Sequence, residues 1–238
     1  MSQYKLLALI PARSGSERLK HKNIKKLKNK TLLQISIENA FKSKIFDKIF
    51  VSTDSKKYSL LARKYGAEAP FLRPGKLSTS TSPDFDWVLY SLKKLKVLEN
   101  GFTHFFILRP TNPFRTYKTI IRAWNSFKKN KNFESLRAVE ICKQHPYKMW
   151  IKKKEYIRPI FIKDIKSQPA YNSQFKVLPK IYIQNASLEI SKISVIKKYK
   201  SISGKKIIPF FTKGYEGFDI NYKEDFQIAN KIINGKLV

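Results

Sequence analysis

Cysteine and histidine are scarce in this chain of 238 residues, and their scarcity narrows the possible chemistry. There is one cysteine, Cys142, so an intramolecular disulfide is excluded. Its apolar neighbours predict a small buried residue rather than a nucleophile. The three histidines, His21, His104 and His145, are far apart in sequence and show no metal-ligand spacing.

Long apolar runs are absent as well. No run approaches the roughly 18 apolar residues that a membrane-spanning helix needs. The first residues lack the basic region, apolar stretch and small-residue cleavage site of a signal peptide. From these absences we expect a cytoplasmic protein without a membrane partner.

Acidic residues are few: 17 Asp and Glu accompany 49 Lys and Arg, a formal net charge of +32. Such an excess often indicates a polyanion partner. The lysines, however, are dispersed in short clusters, and neither a nucleic-acid motif nor a basic stripe with interleaved aromatic residues is present. We therefore favour a lysine-biased composition over nucleic-acid binding. A non-catalytic basic polyanion-binding protein stays open as an alternative.

Short apolar runs alternate with helical patterns, which predicts an α/β fold. We expect strands at about 5–10, 48–52, 69–72, 103–108, 135–142, 185–190 and 206–211. The apolar spacing predicts helices at 55–65 and 223–233, and others that begin near residues 32, 83 and 116, with residues 32, 33, 37, 40 and 41 forming one apolar face. Ser82 and Thr116 are predicted N-caps. Asp54 either contacts a ligand at a strand end or caps the following helix.

The alternation fails at 143–185, where prolines and aromatic residues are frequent. This stretch is too long and too apolar for a loop. We interpret it as an inserted subdomain within a single domain of residues 1–238, one that covers the site or builds a dimer.

A polar loop follows the first strand. It holds Ser14, Gly15 and Ser16 among several cations. A buried strand that leads into a flexible, hydroxyl-bearing, cationic loop is a recurrent way to bind nucleotide phosphates. Neither GxxxxGK[ST] nor GxGxxG is present, so a basic surface loop after a core strand is an equally open interpretation.

The stretch IPARSGSERL at 10–19, followed by Lys22-Asn23, resembles the signature of the acylneuraminate cytidylyltransferases. These are the CMP-sialic acid synthetases and their bacterial relatives for legionaminic and pseudaminic acids. Further segments match the family in the same order along nearly the whole chain: VSTD at 51–54, LRP at 72–74, LRPTNPFR at 108–115, LPKIYIQN at 178–185 and FDIN at 218–221.

The resemblance implies a Rossmann-like nucleotidyltransferase with a mixed, mostly parallel sheet and an inserted dimerisation subdomain at 143–185. It implies an enzyme, active as a homodimer, that joins CTP to a nine-carbon α-keto acid. The anomeric hydroxyl of the sugar attacks the α-phosphate and pyrophosphate leaves. Such chemistry needs charge neutralisation, in-line positioning and usually Mg²⁺. Another sugar nucleotidyltransferase, Kdo-like or using a different nucleotide, is the alternative enzyme.

By the same resemblance, the nucleotide-binding residues are Arg13, Ser14, Ser16, Arg18, Lys22, Asn23 and Arg73. Arg13, Lys22 and Asp219 are the predicted catalytic residues. A solvated charge is the competing interpretation for Lys22, and a solvated or ion-paired arginine for Arg73.

Asp219 and Asn221 are the predicted metal ligands, since alternate residues at a strand end share one face and a carboxylate suits Mg²⁺. The family usually has Asp-x-Asp there, and Asn221 replaces the second carboxylate. A cap or turn aspartate is the alternative for Asp219.

Arg109, Lys148 and Asn185 are the candidates for sugar contact. Arg109 stands where sialic acid synthetases commonly have Gln, and an arginine there could pair with the carboxylate of the sugar. Glu189 replaces a usual tyrosine. Glu17 replaces a frequent lysine and Ser80 a usual aspartate. These departures point away from N-acetylneuraminate and toward a relative such as legionaminic acid.

Overall fold

The computed structural model describes residues 4–235, which divide into two compact units. The larger comprises residues 4–138 and 185–235, and the smaller is Val139–Gln184. The predicted insertion at 143–185 overlaps the smaller unit. Within the described residues, no helix is both long and apolar enough to cross a bilayer.

Strands and helices alternate along the chain, as the apolar pattern predicts. The strands are β1 (Leu6–Pro11), β2 (Lys26–Leu27), β3 (Lys30–Thr31), β4 (Lys48–Ser52), β5 (His104–Ile107), β6 (Ser135–Ile141), β7 (Trp150–Lys153), β8 (Tyr156–Pro159), β9 (Asp164–Ile165), β10 (Gln168–Pro169), β11 (Tyr182–Lys192) and β12 (Ile207–Phe211). The α-helices are α1 (Leu32–Ser43), α2 (Lys56–Lys64), α3 (Asp84–Lys94), α4 (Tyr117–Lys128), α5 (Ile193–Tyr199) and α6 (Lys223–Ile233). The short 3-10 helices are Lys22–Ile24, Gly75–Leu77, Pro146–Lys148, Ala170–Asn172, Phe175–Val177 and Gly214–Gly217.

A six-stranded sheet in the order β12-β6-β11-β5-β1-β4 organises the larger unit. β1 is parallel to both β4 and β5, whereas β11 is antiparallel to β5. The prediction of a mixed α/β sheet is confirmed.

β1 is buried on both faces, which explains its continuous apolar run. Ala8 and Ile10 pack in one core cluster with residues of α1 and α4, including Trp124. Leu7 and Leu9 pack in a second cluster with residues of α3 and α5, including Trp87. The sheet therefore lies between two helical layers.

The start of α4 agrees with the prediction, because the Thr116 hydroxyl accepts a backbone N–H group there. At the start of α2 the cap is the Ser55 hydroxyl and not Asp54, the cap considered from the sequence. Gly66 follows α2 with φ +92°, a conformation that favours glycine. The prediction for Ser82 is wrong: α3 begins at Asp84 after Pro83, and the Ser82 hydroxyl donates to the Lys76 carbonyl.

Two further predictions fail. Residues 69–72 form no strand; an isolated bridge between Phe50 and Glu68 joins the preceding residue to the sheet. Phe41 does not complete the buried face of α1, because nearly half of its surface is exposed. Its ring lies close to Gly66 instead.

The smaller unit contains two antiparallel hairpins, β7 with β8 and β9 with β10. Cys142 is buried within it, as predicted. Many large apolar side chains of this unit are exposed, among them Trp150, Tyr156 and Ile162.

The carboxyl ends of β1, β4 and β5 meet at one edge of the sheet. The Ala12 N–H donates to the Ser52 carbonyl, and the Leu108 N–H donates to the Leu9 carbonyl. The loops that follow these strands are thereby brought side by side, which is where α/β folds place ligand sites.

Candidate functional site

A pocket of about 390 Å³ opens at this edge. Its volume is typical of small-molecule sites, which span about 300–1,000 Å³. Five cations line it and two acids accompany them. The cations are Arg13, Arg18, Lys22, Arg73 and Arg109; the acids are Glu17 and Asp84.

The loop after β1 forms one wall, and its two ends are tied together. The Asn23 side-chain amide donates to the Arg13 carbonyl at 3.0 Å. Asn23 itself is buried in the short helix that carries Lys22. Arg13 and Lys22 therefore face one pocket. One guanidinium nitrogen of Arg13 is buried without a hydrogen-bond partner among the described residues.

Ser14 lies in this loop but does not line the pocket. Its N–H and its hydroxyl both donate to the Asp54 carboxylate, at 2.7 and 2.9 Å. Asp54 is therefore not the cap of α2, since Ser55 caps that helix. Ser16, by contrast, lines the pocket.

The segment around Asp219 comes to the same loop from the far end of the chain. The Lys22 ammonium donates to the Ile220 carbonyl at 2.6 Å and lies 3.4 Å from the Asn221 amide oxygen. The other end of that amide donates to Asp219 at 2.7 Å. Asn221 thus lies between a cation and a carboxylate.

The prediction of a strand end at Asp219 is wrong. The residue lies in an irregular segment that follows the 3-10 helix Gly214–Gly217. This segment is held by a hydrogen bond from the Ile220 N–H to the Thr111 carbonyl. One carboxylate oxygen of Asp219 is buried and finds no hydrogen-bond donor in residues 4–235. No group of three or more His, Cys, Asp or Glu side chains that could hold a metal occurs in that range. The unpartnered oxygen fits a cation such as Mg²⁺, which takes one or two protein carboxylates and keeps its waters.

Burial alters the electrostatics of two pocket cations. It lowers the pKa of Lys22, although the negative charge of Asp219 acts to raise that pKa. Burial also lowers the pKa of Arg73 to about 10. The Arg73 guanidinium donates to the Ser52 carbonyl at 2.7 Å and lies over the Trp87 ring at 4.8 Å. Both side chains are held in place rather than solvated.

Arg109 lines the pocket within an ion-pair network. Its guanidinium donates to Asp84 at 2.7 Å and to Glu189 at 2.8 Å. Arg137 approaches the other oxygen of Glu189 at 2.9 Å. Burial alone would lower the pKa of Arg109, but the two carboxylates outweigh it and raise that pKa. The charge of Arg109 is therefore already compensated by the protein.

The other predicted sugar contacts do not line the pocket. Asn185 donates to the Thr212 hydroxyl at 2.9 Å, and its amide oxygen accepts the Ser187 N–H. Lys148 belongs to the smaller unit, where its ammonium donates to the Tyr171 carbonyl. Their roles in substrate binding stay predictions.

Sequence reasoning missed Arg115, which is buried although it carries a charge. It donates to the carbonyls of Arg109 and Ser187 and to the Ser36 hydroxyl. Burial lowers its pKa to about 9. The sequence feature that could have indicated a structural role is its position two residues after Pro113, in the turn that follows β5. Through these hydrogen bonds Arg115 holds the turn in place.

We expect Arg109→Gln to lower the free energy of unfolding by about 2 kcal/mol, because it leaves Asp84 and the buried Glu189 with less compensating charge. The double variant Arg109→Gln/Glu189→Gln should recover part of this loss, since a glutamine at 189 needs no cation. Urea denaturation of both single variants and the double variant measures the coupling.

The exposed pair Lys30–Glu38 provides the control. Lys30→Gln should change the unfolding free energy by less than about 0.5 kcal/mol. Additive losses in the Arg109 and Glu189 variants would show that the two side chains do not stabilise one another.

The whole chain is similar to known cytidylyltransferases. It is 30% identical over 231 residues to the CMP-N,N'-diacetyllegionaminic acid synthase of Legionella pneumophila, and the match covers 96% of each chain. It is 36% identical over 135 residues to the N-acylneuraminate cytidylyltransferase of Escherichia coli, which is 57% of this chain but only 31% of that protein.

A structural comparison supports the same fold. The solved structure of CMP:2-keto-3-deoxy-manno-octonic acid synthetase complexed with CTP superposes with a TM-score of 0.71 at 13% identity, over 98% of this chain and 100% of that one. A family model described as Cytidylyltransferase matches residues 7–233. A sheet-edge pocket rich in cations and similarity along the full length lead to one conclusion: the chain belongs to the cytidylyltransferase family and is a nucleotidyltransferase.

Proposed function

We propose that this enzyme activates a nonulosonic acid with CTP, forming the CMP-sugar and releasing pyrophosphate. The observation that carries the proposal is the full-length similarity to a protein named as a CMP-N,N'-diacetyllegionaminic acid synthase. The cationic pocket suits this reaction, since the transferred α-phosphoryl group and the leaving pyrophosphate are both anionic.

Arg13 and Lys22 are the groups that neutralise the triphosphate. The unpartnered guanidinium nitrogen of Arg13 is a donor ready for a phosphate oxygen. Lys22 is oriented by the Ile220 carbonyl before any ligand arrives. Arg18, which lies over the Tyr222 ring at 5.1 Å, adds positive charge at the rim. These side chains supply positioning and electrostatic stabilisation, the main catalytic contributions in phosphoryl transfer.

A divalent cation, Mg²⁺ by its chemistry, belongs beside Asp219. The buried, unpartnered carboxylate oxygen supplies one ligand. When bound, the ion would neutralise phosphate charge and orient the triphosphate. Asn221 contributes by donating its side-chain amide to the other oxygen of the Asp219 carboxylate at 2.7 Å. Because Asn221 is neutral, the negative charge offered to the metal at this pair of residues is that of Asp219.

A legionaminic-type acid is the proposed sugar. The Arg109 charge is compensated by Asp84 and Glu189, so the pocket wall there presents an ion pair to the substrate rather than an unpaired cation. Such a wall offers donors and acceptors to hydroxyl and acylamino groups. The choice of a legionaminic-type acid rests on the full-length similarity to the legionaminic acid synthase. A non-catalytic polyanion-binding protein is not favoured, because the similarity to enzymes extends over the whole chain.

We propose a cytoplasmic location, because the enzyme consumes CTP.

We propose that the smaller unit binds a second copy of the chain. The unit exposes many large apolar side chains, and surfaces of this kind mark interaction sites. Those with the largest exposed fractions are Ile162, Tyr156, Ile141 and Ile157.

The first test is pyrophosphate release from CTP and Mg²⁺ with a panel of nonulosonic acids. We expect turnover with a legionaminic-type acid. Asp219→Asn should lower kcat on the order of 100-fold and raise the Mg²⁺ concentration needed for half-maximal rate, because one carboxylate ligand is lost.

Glu224→Gln is the matched control, since Glu224 is an exposed acid in the first turn of α6. It should retain wild-type rates. A folded protein that binds CTP and yet releases no pyrophosphate with any acid would refute the proposed function.

Sedimentation equilibrium tests the dimer. Ile162→Lys should weaken self-association, because Ile162 is 88% exposed and a lysine in an apolar interface must be desolvated. Leu60→Lys, at a 61% exposed position on α2, should leave the dimer intact. A wild-type protein that stays monomeric at micromolar concentration would contradict the assembly.

A further inference from the structure

The nucleotide loop is held from outside the pocket by the segment that joins β4 to α2. Asp54 of that segment and Tyr58 in the first turn of α2 contact the loop near its two ends, at Ser14 and at His21. Neither residue lines the pocket. Their contacts therefore act on the loop and not on a ligand.

Asp54 makes the stronger contact. Its two carboxylate oxygens accept the N–H and the hydroxyl of Ser14, so both donors of Ser14 are used within the protein. A hydrogen bond to an ionised carboxylate is roughly twice as strong as a neutral one. This pairing fixes the residue that follows Arg13 directly.

Tyr58 holds the other end, one turn into α2. Its side chain is buried, and its hydroxyl lies 3.2 Å from the His21 ring nitrogen. His21 has a left-handed backbone with φ 53° and precedes the short helix that begins at Lys22. Non-glycine residues adopt this conformation infrequently, although histidine does so more often than most. The Tyr58 contact holds the His21 side chain beside α2.

We infer that Asp54 is a positioning residue that presets the Arg13–Lys22 loop for the triphosphate, with Tyr58 in a supporting role. This inference rests on the proposed function for its ligand and on the contacts above for its mechanism. A carboxylate close to a triphosphate site repels the ligand, so its presence needs a compensating benefit. The benefit here is a loop that is ordered before binding and loses less conformational entropy on binding.

Asp47 distinguishes positioning from general stabilisation. Its carboxylate accepts the Leu6 N–H at 2.7 Å, a bond of the same kind at the start of β1, the end opposite the pocket. Asp47→Ala should therefore reduce stability as Asp54→Ala does, without an effect on the nucleotide.

The experiment compares CTP binding by calorimetry, the KM values of both substrates and amide hydrogen exchange of residues 13–23. Asp54→Ala should raise the Kd for CTP about tenfold and speed exchange in the loop, with the KM of the sugar nearly unchanged, because charge-assisted hydrogen bonds are lost. Asp54→Asn should restore most of the affinity, since its amide can accept the Ser14 N–H and donate to the hydroxyl. Tyr58→Phe should shift CTP binding in the same direction by a smaller factor.

Equal CTP affinity and equal loop exchange in Asp54→Ala and wild type would overturn the inference, as would an equal loss in Asp47→Ala. If Asp54→Ala fails to fold, Ser14→Ala removes only the hydroxyl bond, and unchanged CTP affinity there also counts against it. Wild-type protein that binds no CTP would overturn the proposed function, whereas faster loop exchange in the ligand-free Asp54→Ala variant would still support the positioning contact.

Discussion

The parallel pairing of β1 with both β4 and β5 is the constraint on which the site depends. Parallel strands end at the same edge of a sheet, so the turns after these three strands must lie side by side. That edge receives Arg13 from the first turn, Asp54 from the second and Arg109 from the third. The antiparallel β11 then brings Glu189 opposite Ile107, two residues before Arg109. The chemistry of the pocket follows from strand order.

The placement of the few acids is as informative as the excess of cations. Of the 17 acidic residues, three bind residues that form or adjoin the pocket wall. Asp54 binds Ser14, Glu189 binds Arg109 and Arg137, and Asp84 binds Arg109 at the pocket. Arg13, in the loop that lines the pocket, keeps one donor unpartnered among the described residues. The protein thus separates Arg109, whose charge two carboxylates compensate, from Arg13, which keeps a donor for an anion.

Local patterns predicted the fold well where local forces decide it. The bounds of β4 and α6 agree with the apolar periodicity, and Thr116 caps α4 because its hydroxyl reaches the first turn without competition. Predictions failed where tertiary contacts compete with local ones. The Ser82 hydroxyl bonds to Lys76 instead of the helix, and Phe41 lies beside Gly66 instead of in the core.

The sequence alone determined the class of fold, the order of the motifs and the identity of the cationic loop, because these depend on apolar periodicity and on short contiguous segments. Only the tertiary structure decided which side chains meet. Lys22 and Asn221 are 199 residues apart, and Arg109 and Glu189 are 80 apart, yet each pair is in contact. The tertiary structure likewise decided that the N–H and the hydroxyl of Ser14 donate to Asp54 and do not face the pocket. Such contacts depend on strand order and on loop paths, which no local pattern along the chain specifies.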